Sequence, residues 1–184
     1  MSDQDEAKFR MIEYHKWKFK AKIFSPLAPL TVKRTPVLMT RVEYGFLGSY
    51  NKYKKSPFVT FYMGGDGMSG YSSTYATETI GLRGYENGSI AGNGGYNSYG
   101  YAYSRLSMEL RYPFLLEPSS TIYGLVFVEA GNAWRDLKDF NPFQLKRSAG
   151  VGVRIFLPMI GLMGIDWAYG FDRPDGSSQR SGRS

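Results

Sequence analysis

The sequence predicts an all-β fold, and within that class an antiparallel transmembrane β-barrel, on three observations. Apolar and polar residues alternate with a period of two in several segments, as in strands with one wet and one apolar face. Most of these segments exceed the about 5–6 residues of a typical soluble strand and match the about 9–11 residues with which a tilted strand crosses a bilayer. The 184 residues include 15 Tyr, 12 Phe and 22 Gly, a composition that suits β-structure with aromatic residues at membrane interfaces.

Seven strands follow from this alternation, and all successive pairs can be antiparallel. The first strand shows the pattern most clearly: lysines occupy every second position from Lys16 to Lys22, and apolar residues occupy the positions between them, from Trp17 to Ile23. A helix would spread these lysines around its surface. The predicted strands are 15–24, 36–48, 58–63, 101–110, 122–134, 147–157 and 162–171, and Pro113 and Pro118 are expected to bracket a turn.

The alternation alone leaves open which face is the core. In a soluble sandwich or barrel the apolar face packs inside, whereas in a membrane barrel it meets lipid and the polar face lines the lumen. The strand length and the mixed charges of the polar face favour the membrane barrel. The aromatic residues at strand ends favour it too, because they resemble interfacial girdles; they are Tyr44, Phe46, Phe114, Trp134, Trp167, Tyr169 and Phe171.

Composition argues against an enzyme and against a metal or cofactor site. The chain has no Cys and one His, so thiol chemistry, disulfides and His/Cys metal clusters are excluded. A nucleophilic triad needs a histidine base, but His15 falls on the apolar face. The net charge of +7 suits anionic lipid or nucleic acid. Because the aromatic residues beside Lys16–Lys22 face away from the lysines, we expect no nucleic acid partner.

The segment 66–100 is rich in Gly, Ser, Asn and Tyr and is long for a loop within a domain, which is typical of functional or disordered segments. It carries the motif Leu82-Arg83-Gly84-Tyr85. By itself the motif predicts only a turn, with Gly84 at positive φ and Arg83 in solvent. The two strands that follow each carry a carboxylate, at Glu109 and Glu129.

Six short motifs, in this order, resemble the BamA/TamA superfamily of outer-membrane barrels, also called the bacterial surface antigen family. The segment 61–65 resembles its aromatic-aromatic-x-Gly-Gly strand end, with Gly64 and Gly65, and 82–85 resembles its Val-Arg-Gly-Phe/Tyr motif with Leu82 for Val. The other four are 107–113, 127–134, 147–154 and 164–169, so that the resemblance covers roughly 36–172. The run from Gly64 to Tyr71 is similar to Bacteroidota versions.

The resemblance implies an architecture of about 16 strands, within the even-numbered range of such barrels, preceded by periplasmic POTRA domains. Residues 1–172 would be the C-terminal part of that barrel, with 66–100 inserted into the lumen, and 173–184 a polar loop before a missing last strand. The polar start after Met1, without a signal peptide, agrees with a fragment. Arg83 would lock the loop by pairing with Glu109 and Glu129 on the barrel wall, since a poorly hydrated guanidinium needs carboxylate partners.

The function implied by the resemblance is that of a barrel assembly factor in the bacterial outer membrane, which folds and inserts other barrel proteins without covalent chemistry. Its partners would be the lipid bilayer, unfolded outer-membrane proteins and accessory lipoproteins. Two alternatives stay open. A related translocation barrel would export one dedicated substrate, and a passive pore would lack a loop that fills the lumen.

Overall fold

A computed structural model describes residues 14–29, 31, 34–49, 59–66, 78–90, 99–117 and 119–173. This part of the chain contains eight strands and one short 3-10 helix, Leu137–Asp139. None of its helices is long and apolar enough to span a membrane. The strands are β1 (Tyr14–Pro26), β2 (Val37–Ser49), β3 (Phe61–Met63), β4 (Glu78–Ile80), β5 (Ala102–Glu117), β6 (Ser120–Trp134), β7 (Lys146–Leu157) and β8 (Gly161–Gly170).

Six of these strands form one antiparallel sheet in the order β1-β2-β5-β6-β7-β8. Each strand pairs with its neighbour along the chain, except that β2 pairs with β5 across the long connection that contains β3 and β4. The prediction of an all-β antiparallel fold is confirmed. The sheet does not close on itself within the described residues, because β1 and β8 are its two edges.

The structure differs from the predicted strands in three places, of which one is β4, a short strand inside the predicted loop 66–100. The sequence predicts 58–63 as one of seven strands with antiparallel neighbours; the strand found within it, β3, instead pairs in parallel with β4 in a separate two-stranded sheet. The strand predicted at 101–110 continues to Glu117, so Pro113 lies inside β5 and not in a turn. The register shifts between Pro113 and Leu115, and such an irregularity tolerates a residue that has no N–H to donate.

The two faces of the sheet differ as the alternation predicts. On β5, Ser107 and Glu109 are buried, whereas Leu106, Met108 and Leu110 on the other face are exposed. On β1, Trp17 is 71% exposed and Phe19 is 59% exposed. We call the side that carries Glu109 and Glu129 the lumen face and the other side the apolar face. An outward apolar face is what a membrane barrel presents to lipid.

Connections of different length leave the two ends of the sheet. One end, here the loop end, has the connection 50–101 and the connection 135–145, and the other has the shorter connections 27–36, 118–119 and 158–160. Outer-membrane barrels have long extracellular loops and short periplasmic turns. The loop end therefore corresponds to the outer surface of such a barrel.

The connection 50–101 returns onto the lumen face. Its described residues form a buried apolar cluster with residues at the loop end of the sheet, which includes the fully buried Phe61, Leu82 and Tyr85. The described parts of the predicted loop 66–100 are residues 66, 78–90 and 99–100; the rest of that loop, most of the predicted polar segment 173–184 and the first 13 residues lie outside the described residues.

Large side chains of the lumen face lie over glycines of the neighbouring strand. Tyr103 is registered with Gly45 and Phe127 with Gly150. A Cβ atom at Gly45 would overlap the Tyr103 ring and lie 2.9 Å from Cζ of Phe61. These glycines therefore leave room that only a hydrogen side chain provides. Two further pairs of this kind are Gly152 with Asp166 and Gly164 with Arg154.

Candidate functional site

The two glycine-containing motifs of the connection 50–101 contact each other. Gly65 forms a β-bridge with Leu82, and its N–H donates to the carbonyl of Tyr85 at 2.9 Å. Gly64 and Gly65 have φ of 130° and 70°, values that favour glycine. A Cβ atom at Gly64 would overlap the carbonyl oxygen of Glu86. The strand-end glycines thus allow the backbone of β3 to support the Leu82–Tyr85 turn from one side.

Arg83 lies among carboxylates of the lumen face. Its Nη2 is 2.6 Å from Oε1 of Glu109 and 2.7 Å from Oε1 of Glu129. The backbone N–H of Arg83 also donates to Oε2 of Glu129 at 2.9 Å. The guanidinium carbon lies 3.6 Å from the ring centroid of Phe127, a cation–π contact. The structure thus brings Arg83 together with both glutamates named from the sequence, on β5 and β6.

A third carboxylate, which the sequence analysis did not single out, completes the site. Asp166 of β8 has its Oδ2 3.2 Å from Nη1 of Arg83. Arg154 of β7 holds the same carboxylate bidentately, with both N–O distances 2.6 Å. The sequence signal was an acidic residue on the polar face of the last predicted strand, 162–171. Alternation gives its face but not its distance from Arg83.

Each carboxylate of the site lies between Arg83 and a second arginine. Arg111 donates to Oε2 of Glu109 at 2.7 and 3.0 Å, and Arg105 Nη2 lies 2.9 Å from Oε1 of Glu129. Ser107 adds a hydrogen bond to Glu129 at 3.0 Å. Bridging of this kind neutralises each charge from two sides, which buried ionic groups require. The partners of the glutamates are thus arginines and not the lysines of β1.

Burial makes the charges of the site interdependent. The Arg83 side chain is 11% exposed and that of Glu129 is 0% exposed. Burial alone would lower the pKa of Arg83, but the charges and hydrogen bonds of Glu129 and Glu109 raise that pKa above its usual value. Arg83 therefore stays cationic. Removal of one partner would leave the others as poorly compensated buried charges, which typically costs about 3–5 kcal/mol.

Gly84 places the motif directly on the backbone of β8. Its φ is 89°, as the turn prediction requires. A Cβ atom there would lie 3.0 Å from both the Tyr169 carbonyl carbon and the Gly170 nitrogen, and 3.1 Å from Cβ of Ser148. The alternative position of Arg83 in solvent, which the motif alone would allow, does not occur, because the turn faces the sheet.

Tyr85 fixes the other end of the motif to the ends of β7 and β8. Its hydroxyl donates to the carbonyl of Arg147 at 2.7 Å and accepts from the N–H of Asp172 at 3.3 Å. Burial raises the pKa of Tyr85 to about 12. The hydroxyl is therefore a neutral donor at ordinary pH, as its bond to the carbonyl requires.

A second ion cluster attaches β4 to β1. Glu78 lies 3.0 Å from Nζ of Lys16 and 2.9 Å from Nζ of Lys18, with Lys20 at 3.8 Å. Burial opposes ionisation of Glu78, but the hydrogen bonds and charges of Lys18 and Lys16 outweigh it and lower the pKa of Glu78. The lysine stripe of β1 therefore faces the lumen and helps to hold the connection 50–101.

The chemistry of the site is electrostatic. Its groups are ionised arginines and carboxylates that neutralise one another, and Arg83 occupies the point on which Glu109, Glu129 and Asp166 converge. In the described part of the chain, no group of three or more His, Cys, Asp and Glu side chains has the arrangement of a metal site. The arrangement holds two pieces of backbone together: the turn 82–85 and the wall formed by β5–β8.

Comparison with known proteins gives the context of this site. The family model of the Omp85 superfamily domain matches residues 9–182. Among solved structures, BamA from Haemophilus ducreyi lacking POTRA domains 1-3 is similar, with 21% identity and a TM-score of 0.64 over 90% of this chain. The chain covers 33% of that BamA chain. No curated protein matches the sequence.

The structural likeness confirms the fold as a fragment of an antiparallel transmembrane β-barrel, and as a BamA-type barrel portion in particular. The family match extends over nearly the whole sequence, including every strand and the turn that carries Arg83. The chain therefore belongs to the Omp85 superfamily.

Proposed function

We propose that this chain is part of a barrel assembly factor that folds and inserts other barrel proteins into the bacterial outer membrane. Membership of the Omp85 superfamily supports an outer-membrane insertion or translocation barrel. The more specific proposal, a role in barrel assembly, is supported by the position of Arg83, which is surrounded by three carboxylates of the barrel wall. This contact holds the returning loop in the lumen.

The proposed role of the site is to keep the barrel wall in its working shape. No bond of a substrate is made or broken, and the protein acts by offering an edge strand and a local membrane environment to an incoming chain. Its partners are the lipid bilayer, unfolded outer-membrane proteins and accessory lipoproteins of an assembly complex. In this proposal Arg83 does not bind those partners itself. It fixes the arrangement of β5–β8, and the partners depend on that arrangement.

Two rivals make different demands on the same residues. A passive pore needs an open lumen, and the burial of residues 80–82 and of Tyr85 against the sheet argues against it. A translocation barrel of the same superfamily is compatible with the loop and the site, but it would serve one dedicated substrate. Loss of the Arg83 ion pairs therefore distinguishes the two: it should affect many outer-membrane proteins in an assembly factor, and one exported protein in a translocation barrel.

The test is charge reversal of Arg83 in the full-length gene, in cells depleted of the native copy. We expect Arg83→Glu to reduce the amount of several unrelated folded barrel proteins in the outer membrane, because a fourth carboxylate would repel the other three. Glu129→Arg in the same protein should restore part of the assembly. Recovery stays partial because Glu129 also binds Arg105.

The matched control is Arg135→Glu, which makes the same change of charge at an exposed residue of the loop end. It should leave assembly unchanged. Normal assembly with Arg83→Glu would contradict the proposal. Loss of one exported protein, with barrel proteins at normal levels, would assign the chain to the translocation class.

A further inference from the structure

The contacts of the Leu82–Tyr85 turn divide into two groups, and the second group has no counterpart in the sequence analysis. The first group joins Arg83 to Glu109 of β5 and Glu129 of β6. The second group joins the turn to the hairpin β7–β8. Three consecutive residues of the turn take part in it: Arg83 through Asp166, Gly84 through the backbone at 169–170, and Tyr85 through Arg147 and Asp172.

These contacts span four neighbouring strands of the sheet. Strands β5 and β8 are three spacings apart, which is about 14 Å in a flat sheet with neighbours about 4.8 Å apart. One guanidinium nevertheless touches Glu109 on β5 and Asp166 on β8. The side chains of Glu109 and Asp166 therefore converge, and Arg83 joins the first of these four strands to the last.

Asp166 is held in place for this contact. Arg154 binds both of its oxygens from the neighbouring strand, and Gly152 lies opposite it in register and provides the space for its side chain. An aspartate without these supports would have other rotamers available. The carboxylate is thus oriented by contacts within the sheet, and its Oδ2 accepts from Arg83 as well as from Arg154.

From these contacts we infer that Asp166 is a positioning residue that couples the lumen loop to β8, so that the loop sets the stability of β8 and not only its own position. The inference deepens the proposed function, since it names the part of the wall that the lock controls. Arg154 is the second positioning residue, because it orients Asp166.

Hydrogen–deuterium exchange of the full-length protein in lipid nanodiscs tests the coupling. We expect Arg83→Gln to accelerate exchange of the amides of β8 roughly tenfold, because the lost charge-assisted bonds lower the cost of local opening. The Arg154–Asp166 pair is intact in this variant. Asp166→Asn should have a similar effect, and the amides of β1 should exchange as in the wild type.

The double variant, Arg83→Gln with Asp166→Asn, shows whether the two residues stabilise β8 through one shared contact or independently. If Arg83 and Asp166 act on β8 through one contact, the two accelerations combine to less than their product. Asp139→Asn is the control, because it removes an exposed carboxylate at the loop end. Wild-type exchange of β8 in Arg83→Gln, or full multiplication of the two effects, overturns the inference.

Two further variants keep the test decisive. If Arg83→Gln does not fold, Arg83→Lys takes its place, because a lysine keeps the charge but cannot bind carboxylates on two sides as a guanidinium does. Arg154→Met should also accelerate exchange of β8, and wild-type exchange in that variant would contradict the positioning role of Arg154. Exchange is measured independently of assembly activity, so a protein that retains the coupling and fails to assemble barrels would contradict the proposed function alone.

Discussion

At the residue scale, Arg83 meets two structural requirements with one side chain. Its guanidinium has donors on two sides for carboxylates from three strands, and its flat face packs on Phe127. A lysine offers a point charge and no planar face. The residues beside Arg83 are equally constrained, since Gly84 touches backbone and Tyr85 is fully buried.

Substitution of Gly84 separates backbone strain from packing. Gly84 and Gly161 have similar positive φ, 89° and 97°, but a Cβ atom at Gly161 would have no neighbour within 4 Å. Both substitutions by Ala therefore carry the cost of a left-handed conformation, about 1–2 kcal/mol. Gly84→Ala should destabilise the protein by about 1–3 kcal/mol more, because it also overpacks against β8.

Urea unfolding of both variants in detergent or lipid measures this difference. Gly161→Ala is the matched control, with the same added methyl group and the same backbone conformation. Equal losses of stability would show that Gly84 serves only the turn and that its contact with β8 is unimportant.

The raised pKa of Tyr85 makes the stability of the protein depend on pH in the alkaline range. Its pKa of about 12 lies above the ordinary value of 10.0, so the folded state holds the hydroxyl proton more tightly than the unfolded state. By linkage, this contribution to stability is fully present below pH 10 and is lost as the pH rises towards 12. Below pH 10, Tyr85→Phe should cost about 0.5–1.5 kcal/mol through the lost hydrogen bond.

The free energy of unfolding, followed from pH 8 to pH 12, checks this expectation. The wild type and Tyr85→Phe should converge between pH 10 and pH 12, because the other tyrosines titrate in both proteins. A constant difference across that range would show that the Tyr85 hydroxyl is not protected by the fold.

At the element scale, the alternation of side chains determined much of what could be predicted. Period-two patterns fix which side chains share a face, so the polar side of β5 and β6 could be identified from Glu109 and Glu129. The pattern carries no information about which residues lie opposite each other on neighbouring strands. The pairing of glycines with large side chains depends on that register, and for this reason the sequence did not reveal it.

The same limit explains the strands and contacts that were missed. β3 contains three residues, too few for a pattern that would distinguish a parallel neighbour from an antiparallel one. Asp166 is 83 residues from Arg83, and their contact depends on the register of three strand pairs and on the directions of both side chains. The resemblance supplied Glu109 and Glu129, whereas Asp166, Arg154 and Phe127 needed coordinates.

The register of β2 with β5 gives a prediction for one glycine pair. Gly45→Ala should destabilise the protein by about 1–3 kcal/mol, because the added methyl group displaces the buried Tyr103 ring. Tyr103→Leu should make the alanine easier to accommodate, since the smaller side chain leaves space above position 45. The double variant should therefore be more stable than the sum of the two single losses predicts.

Thermal unfolding of the two single variants and the double variant completes this cycle. Strict additivity would contradict the register-dependent account of Gly45. It would point instead to Phe61, whose ring is the other neighbour of that position, as the group that the methyl displaces.

At the scale of the whole molecule, the outward apolar face implies that the fold needs lipid around it. Val126 lies near the middle of β6 and is exposed on that face. Val126→Lys should cost about 2–4 kcal/mol if its position is near the bilayer midplane. Met159→Lys, at an exposed turn between β7 and β8, should cost little.

Refolding of the full-length variants into lipid vesicles, read out as the heat-sensitive shift in gel mobility of a folded barrel, measures both effects. The pair controls for the lysine itself, since only its depth differs. Equal tolerance of the two lysines would mean that the apolar face is covered by something other than lipid.

The order of the site residues along the chain also has a consequence for how the molecule folds. Arg83 precedes its three carboxylate partners by 26, 46 and 83 residues, and the last partner belongs to β8. The site therefore cannot form until β5, β6, β7 and β8 have paired, so insertion of the loop is a late event of high contact order and accordingly slow. Until then each carboxylate is paired only with its own arginine of the wall, in the three pairs Glu109–Arg111, Glu129–Arg105 and Asp166–Arg154. The arginine that arrives last joins these three separate ion pairs into one network across β5–β8.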